Sequence, residues 1–241
     1  MWDDAQALRQ LANALLGISL LLVLFGTTHY LVHLPEFPLN TVQLDAAPQR
    51  VDTAQIEEVV RNDVHGNFFT VDLESARKAF EKLPWVRKVN VRRLFPWKLE
   101  VDLEEHVALA NWNGTELVNT HGEVFDAGTK QALPKFIGQP DTAAEITEMY
   151  QASSSLLAPL KQQVVQISLS PRRAWQLRLN NGMVLELGRE QAKERLARFV
   201  AVYPYSLAAM PRTVNYVDLR YRNGFAAYLP GGMAGNQARR S

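Results

Sequence analysis

Between Arg9 and Glu36 the chain carries no charged side chain, counting His29 and His33 as neutral, and Leu15 to Val32 is its one long apolar run. The charge-free interval is about 26 residues, and one helix needs about 20 to cross a hydrocarbon layer about 30 Å thick. Leu15 to Phe25 is apolar on every side, which suits lipid better than a protein interior, where a helix usually keeps a polar face. A cleaved signal would have a shorter apolar core and small residues at its end; here Thr28, His29, Tyr30 and Leu31 occupy that place. The run is therefore expected to stay as an anchor, with residues 1–11 as a stub and 12–34 as the span. Arg9 and the amino terminus lean toward a cytoplasmic N-terminus on the positive-inside rule, and Tyr30 sits where an interfacial aromatic belt lies.

The remainder, about 205 residues, is enough for one large or two small domains. With 26 basic and 25 acidic residues the net charge is +1, so no global field draws the chain to nucleic acid. The absence of cysteine excludes thiol catalysis, cysteine-zinc sites and disulfides, and leaves the redox compartment open. Stability must come from the core, for which 47% hydrophobic residues are sufficient.

From Phe37 to Trp112 the pattern reads strand, helix, helix, strand, strand. Thr41 to Leu44 is extended. Asp52 can cap a helix with Gln55 reaching back, and Ile56, Val59 and Val60 mark its buried face. Gly66 and Asn67 break it. Asp72 caps a second helix with Leu73, Ala76, Phe80 and Leu83 at helical spacing, stopped by Pro84. Val89 and Val91 then alternate with Lys88, Asn90 and Arg92, and, across the turn Leu94-Phe95-Pro96-Trp97, Leu99, Val101 and Leu103 alternate with Glu100, Asp102 and Glu104. This is the clearest hairpin in the chain, and Arg92 and Arg93 facing Glu100 and Asp102 should help to set its register.

Val107 to Trp112 opens a second region. Asn113-Gly114 is a hairpin signal, followed by a strand from Glu116 to Asn119 and a turn at His121-Gly122. Residues 134–140 read as a connector. Thr142 and Glu145 predict a capping box for a helix through Leu157, with Ile146, Met149, Tyr150 and Leu157 inward. Strands are expected at Val164 to Leu169, Trp175 to Leu179 and Val184 to Leu187, the last two joined at Asn180-Asn181-Gly182. A helix follows from about Glu190 to Tyr203, with Ala192, Leu196, Phe199, Val200 and Tyr203 inward. Two strands close the domain, Thr213 to Tyr221 and Phe225 to Leu229, around Asn223-Gly224. Residues 230–241 read as a disordered tail. The fold class is α+β: one transmembrane helix, a β-α-α-β-β module over residues 37–106, and a mixed β domain with flanking helices over 107–229.

Catalytic signals are scarce. His65, His106 and His121 lack zinc spacing. Glu104 and Glu105 are neighbours on a strand, point to opposite faces and so cannot flank one bond. Ser153 to Ser155 lie on a helix with no lysine or histidine at a useful spacing and read as a solvated face. Gly231, Gly232 and Gly235 follow no strand. Arg87, Lys88, Arg92, Arg93 and Lys98, with Trp85, Phe95 and Trp97 among them, could suggest nucleic acid, but read better as a strand face balanced by Glu100, Asp102 and Glu104. No enzyme activity, cofactor or metal is expected.

Leu83-Pro84-Trp85-Val86, Val89-x-Val91-Arg92, Pro96, Leu99-x-Val101, Glu105 and Ala110-x-Trp112 resemble the POTRA module of the bacterial cell-division family FtsQ/DivIB. The likeness continues through Arg172-Arg173-Ala174-Trp175-Gln176-Leu177, Leu179-Asn180-Asn181, Arg195-Leu196-Ala197-Arg198-Phe199-Val200, Tyr203-Pro204 and Tyr216-Val217-Asp218-Leu219-Arg220-Tyr221. The resemblance implies a non-enzymatic divisome component of the inner membrane, with its bulk in the periplasm at the division septum. It implies that the POTRA module meets other divisome proteins. The β domain would bind FtsB and FtsL, which regulate septal peptidoglycan synthesis. By the same resemblance Arg172 pairs with an acidic residue of FtsB, and Tyr221, Asn223 and Gly224 lie in the last strands, against which an FtsB segment adds as a further strand. A relative carries an aromatic near the place of Leu229; Phe225 and Tyr228 are the nearest here. An exposed edge at Phe225 to Leu229 is a liability unless blunted or used, and strand addition would use it. The alternatives are a POTRA-bearing secretion or outer-membrane assembly factor, which would need repeated POTRA units or a barrel, and an envelope enzyme acting on peptidoglycan.

Overall fold

A computed structural model describes residues 5–34, 39, 41–208, 214–221 and 224–228. The chain divides into two compact units, Met1–Glu105 and His106–Ser241, each with its own hydrophobic cluster.

The first unit opens with α1 (Ala5–Val32). Its segment Leu8–Val32 is long and apolar enough to cross a membrane, and none of it is buried in protein. At 1.5 Å per residue those 25 residues run about 37 Å. Leucines such as Leu16, Leu20 and Leu21 stand fully outward, a surface compatible with lipid and costly in water.

Beyond it come β1 (Thr41–Leu44), α2 (Thr53–Asp63), α3 (Leu73–Phe80), β2 (Val86–Leu94) and β3 (Lys98–Glu105). The sheet order is β1-β3-β2, with β1 parallel and β2 antiparallel to β3. Asp52 accepts from the Ala54 N–H at the start of α2, and Asp72 accepts from Glu74 and Ser75 at the start of α3; each cap satisfies N–H groups the first turn cannot. Helix α3 ends at Phe80, earlier than Pro84 alone predicts. Leu83 lies in the following turn, its N–H donating to the Phe80 carbonyl. Phe80, Ile56, Val89, Leu99 and Val101 form the core between helices and sheet.

The hairpin register pairs Arg92 with Glu100, Asn90 with Asp102 and Lys88 with Glu104. Arg92 binds Glu100, which holds that carboxyl below its usual range, and Arg87 binds Glu104 at 2.6 Å. Arg93, expected beside Arg92 on the charged face, takes the opposite face, because side chains alternate along a strand. Its guanidinium donates to the carbonyls of Phe68 and Val71, each at 2.7 Å. Glu105 accepts the backbone N–H groups of Gln49, Arg50 and Val51 at 2.9–3.1 Å. Burial would raise this carboxyl, but the three N–H donors outweigh it and hold the group low. Glu104 and Glu105 thus have separate structural tasks.

The second unit comprises β4 (Ala108–Trp112), β5 (Glu116–Asn119), β6 (Val124–Phe125), β7 (Lys135–Ile137), α4 (Ala143–Leu157), β8 (Val164–Leu169), β9 (Trp175–Leu179), β10 (Val184–Gly188), α5 (Ala192–Val202), β11 (Tyr216–Asp218) and β12 (Ala226–Tyr228). They form a sheet in the order β12-β11-β10-β9-β8-β7-β4-β5-β6. The β4–β5 turn has positive φ at both Asn113 and Gly114, the geometry that makes Asn-Gly a hairpin signal.

Three expectations are corrected here. The supposed connector contains β7, which lies parallel to both β4 and β8 and joins the two halves of the sheet; three residues between a proline and a glycine are too few to show alternation. Phe136 at its centre is fully buried. The Thr142–Glu145 capping box does not form. A 3-10 turn, Pro140–Thr142, leads into α4, so Thr142 is already in turn geometry at φ −101° and ψ 3°. Its hydroxyl donates to the Gln139 carbonyl, while Glu145 pairs with Arg173. Ser153 is fully buried on the inner face of α4, with Ile146, Met149 and Leu157; its small side chain lets the helix close on its neighbours. Helix α4 packs on β8, α5 on β10, and the helices touch each other.

Candidate partner-docking edge

One margin of the large sheet is built by three pieces of chain. The chain leaves β10, passes through α5 and returns as β11, parallel to β10 with Leu185 opposite Val217. Then β12 folds back antiparallel, pairing Tyr216 with Tyr228, Val217 with Ala227 and Asp218 with Ala226. Val217 is fully buried and fixes β11 to the core, whereas all three residues of β12 are exposed. Among the described residues no strand pairs with the outer side of β12. It carries neither charge nor proline, so nothing along it blunts an incoming backbone.

The residues singled out from sequence are distributed unequally around this margin. Tyr221 and Tyr228 are 57% and 56% exposed. Tyr221 stands just beyond β11, which is shorter than the expected Thr213 to Tyr221 strand. Phe225 is half-buried, its ring edge-on to Phe199 at 6.0 Å, so it anchors β12 to α5 and contributes little free surface. At Gly224 a side chain would meet nothing within 4 Å. Asn223, Leu229 and the tail 230–241 lie outside the described residues.

Arg172 sits in the β8–β9 turn. Its neighbour Arg173 takes positive φ at 63° and reaches Glu145 at 2.6 Å, which leaves Arg172 directed to a different side. Arg172 lines a cleft of about 470 Å³ with Glu186, Gly188, Arg189, Arg195 and Arg220. The cleft therefore joins Arg172 to the end of β11, next to Tyr221. Arg220 and Asp218, which sequence reasoning left without a role, fix this end. The Arg220 guanidinium forks onto Asp218 at 2.7–3.1 Å, the geometry that favours arginine over lysine. These bonds from Arg220 hold the Asp218 carboxyl below its ordinary value. Gly188 makes room: at φ +73°, a Cβ there would lie 2.9 Å from Arg195 and 3.0 Å from Arg220. The available signal was the spacing of Asp218 and Arg220, two apart in the expected Thr213 to Tyr221 strand, although β11 itself ends at Asp218.

The histidines have structural surroundings. His106 stacks on Phe125 at 4.0 Å and bonds Asn119, and His121 lies in the β5–β6 turn. The arrangement offers backbone donors and acceptors, a cleft lined by four arginines and two glutamates, and two exposed tyrosines. It is suited to holding an extended peptide bearing a carboxylate.

Comparison with known proteins is consistent along the chain. Residues 37–106 match the family description "POTRA domain, FtsQ-type" and residues 110–220 match "Cell division protein FtsQ/DivIB, C-terminal". The protein named cell division protein FtsQ in Nitrosospira multiformis is 44% identical over 232 residues, covering 94% of this chain and 98% of the relative. Its namesake in Burkholderia pseudomallei is 37% identical over 238 residues, covering 96% and 95%. That of Neisseria gonorrhoeae is 31% identical over 235 residues, covering 97% of each.

Proposed function

This chain belongs to the FtsQ/DivIB family of cell-division proteins, and from that premise we propose that it is a non-enzymatic scaffold of the divisome. Residues 12–34 anchor it once in the inner membrane with the stub 1–11 in the cytoplasm. The POTRA domain, 37–106, and the β domain, 107–229, stand in the periplasm at the septum. The β domain captures FtsB, and FtsL with it, by adding a strand of the guest to β12, and so helps to control septal peptidoglycan synthesis. The POTRA domain receives other divisome proteins.

The observation that carries this reading is the outer margin of β12, exposed and uncharged over Ala226–Tyr228. Magnitudes indicate what else is needed. Two or three backbone hydrogen bonds at about 1 kcal/mol each supply about 2–3 kcal/mol, whereas micromolar binding requires about 8 kcal/mol. Side chains must supply the rest. Arg172 offers a forked contact to a guest carboxylate, worth more than a neutral hydrogen bond. Tyr221 and Tyr228 supply apolar area beside the added strand. Gly224 leads into β12, and Phe225 holds it against Phe199.

The secretion-factor alternative draws no support from relatives that share nearly full length with this chain and carry a cell-division name. The test is capture of FtsB, with and without FtsL, by full-length protein in detergent. Wild type should retain the guest, and Arg172→Glu and Tyr221→Ala should lose it while keeping wild-type circular dichroism. Undiminished capture by both variants would overturn the proposal.

A further inference from the structure

The hairpin tip of the POTRA domain and the turn beside it carry a group of aromatic and aliphatic side chains, several of them exposed. Phe95 is 77% exposed, Phe69 45% and Leu94 36%. Their rings cluster around Trp97: Phe95 at 6.0 Å, Phe69 at 6.1 Å and buried Phe68 at 5.5 Å. Solvated loops seldom gather large apolar groups in this way, and a contiguous apolar patch marks an interaction surface.

What covers it is indicated by Asn67. The Asn67 amide donates to the carbonyls of Val32 at 2.7 Å and Leu34 at 3.2 Å, at the C-terminal end of α1. The same side chain accepts the N–H groups of Phe69 and Thr70, each at 3.0 Å. One residue thus ties the end of the apolar helix to the turn that presents Phe68 and Phe69. Arg93 binds that turn to the hairpin tip through the Phe68 and Val71 carbonyls. The aromatic group therefore lies beside the place where Leu8–Val32 leaves the hydrocarbon, the depth at which aromatic rings are favoured.

We propose that Phe69, Phe95, Leu94 and Trp97 form a second membrane contact, dipping into the headgroup and upper acyl region of the leaflet from which α1 emerges. Lys98, opposite Leu94 in the register, is placed to meet lipid phosphates. A second contact limits rotation of the domain about the axis of α1 and sets the height of the POTRA sheet above the bilayer. The inference goes beyond the scaffold reading and rests on its claim that α1 spans the membrane.

The chain has no cysteine, so single labels are clean. Phe95→Cys, Phe69→Cys and a control, Lys82→Cys, each carry a polarity-sensitive fluorophore on full-length protein in vesicles of phosphatidylethanolamine and phosphatidylglycerol. Lys82 lies before β2, whose two ends, Val86 and Leu94, are about 26 Å apart at 3.3 Å per residue. The expected result is blue-shifted emission from the labels at 69 and 95, quenched roughly twofold or more by lipids spin-labelled near the headgroup, with label depths of ~5–10 Å. The label at 82 should stay green and unquenched. Protein that resists alkaline carbonate extraction but leaves labels 69 and 95 unquenched overturns the contact alone. Quenching that appears only after partner membrane proteins are added overturns lipid as the occupant. Protein released by carbonate overturns the anchor and the contact together.

Discussion

The two domains each end in an open sheet margin, and the two margins are treated oppositely. In the POTRA domain β2 runs for nine residues along the edge of the sheet and carries Arg87, Lys88, Arg92 and Arg93, with a bulge between Val86 and Lys88. Two of those arginines are committed across the hairpin, to Glu104 and Glu100. Charge and bulging are the usual means by which an edge avoids unwanted pairing. In the β domain β12 is only three residues long, with no charge. The longer edge is guarded and the shorter one is bare. Length alone would favour the first edge as a candidate for docking; what lies along the two edges favours the second.

The sharpest break of that comparison is proline on the bare edge. Ala226→Pro and Ala227→Pro should each abolish FtsB capture, because successive N–H groups alternate between the partner strand and the open side. One of the two removes an outward donor, and the other removes a donor to β11 and so loosens the edge strand itself. Titration calorimetry should show loss of about a thousandfold or more for each, at 1.4 kcal/mol per decade, whereas Asn90→Pro on β2 should leave FtsB affinity unchanged. If Asn90→Pro abolished capture and the β12 variants did not, the assignments of the two margins would be reversed.

Next in size is Arg172→Glu, which replaces attraction by repulsion in the cleft. An expected loss of about 2–3 kcal/mol, read as affinity, should leave the thermal midpoint within error, because Arg172 is exposed. Tyr221→Ala should cost about 1–2 kcal/mol of binding and little stability. Phe225→Ala should do the converse, lowering the melting temperature through its lost contact with Phe199. A Tyr221→Ala protein that melts early would show that this ring belongs to the fold and not to the guest.

The smallest effect is in acid. Asp218 has its pKa lowered in the folded protein, so its pairing contributes stability above the ordinary carboxylate value and loses it as pH falls through the folded one. Hydrogen-exchange protection at β11 and β12, corrected for the intrinsic pH dependence of amide exchange, should be unchanged from pH 7 to about 4 and weaker below. Asp218→Asn should flatten that dependence.

Much of the architecture was legible because its signals are local. The hairpin from Val86 to Glu105 alternates cleanly, Asp52 and Asp72 sit one residue before helical spacing begins, and Asn113-Gly114 demands positive φ. The misreadings share a different cause. β7 is a strand because β4 and β8 flank it, not because Lys135-Phe136-Ile137 alternates. Ser153 is buried because α4 turns that face to the sheet. Thr142 lost its capping role to a turn begun by Pro140. Around the candidate margin, Arg172, Tyr221 and Tyr228 were singled out from the sequence and stand exposed, while the Asp218–Arg220 fork and the clearance at Gly188 depend on contacts that the sequence reading did not single out.

Sequence alone determined that one helix is fit for lipid, that a β-α-α-β-β module follows and that a second sheet closes the chain. These depend on hydrophobic period and on residues that cap or turn the backbone, which act over a few positions. Only the tertiary structure decided which of the described strands stands outermost, that Arg172 and Arg220 share a cleft though 48 positions apart, and that Asn67 holds the end of α1. Strand order and side-chain convergence are set by long-range packing, and a linear pattern does not encode which distant segments meet.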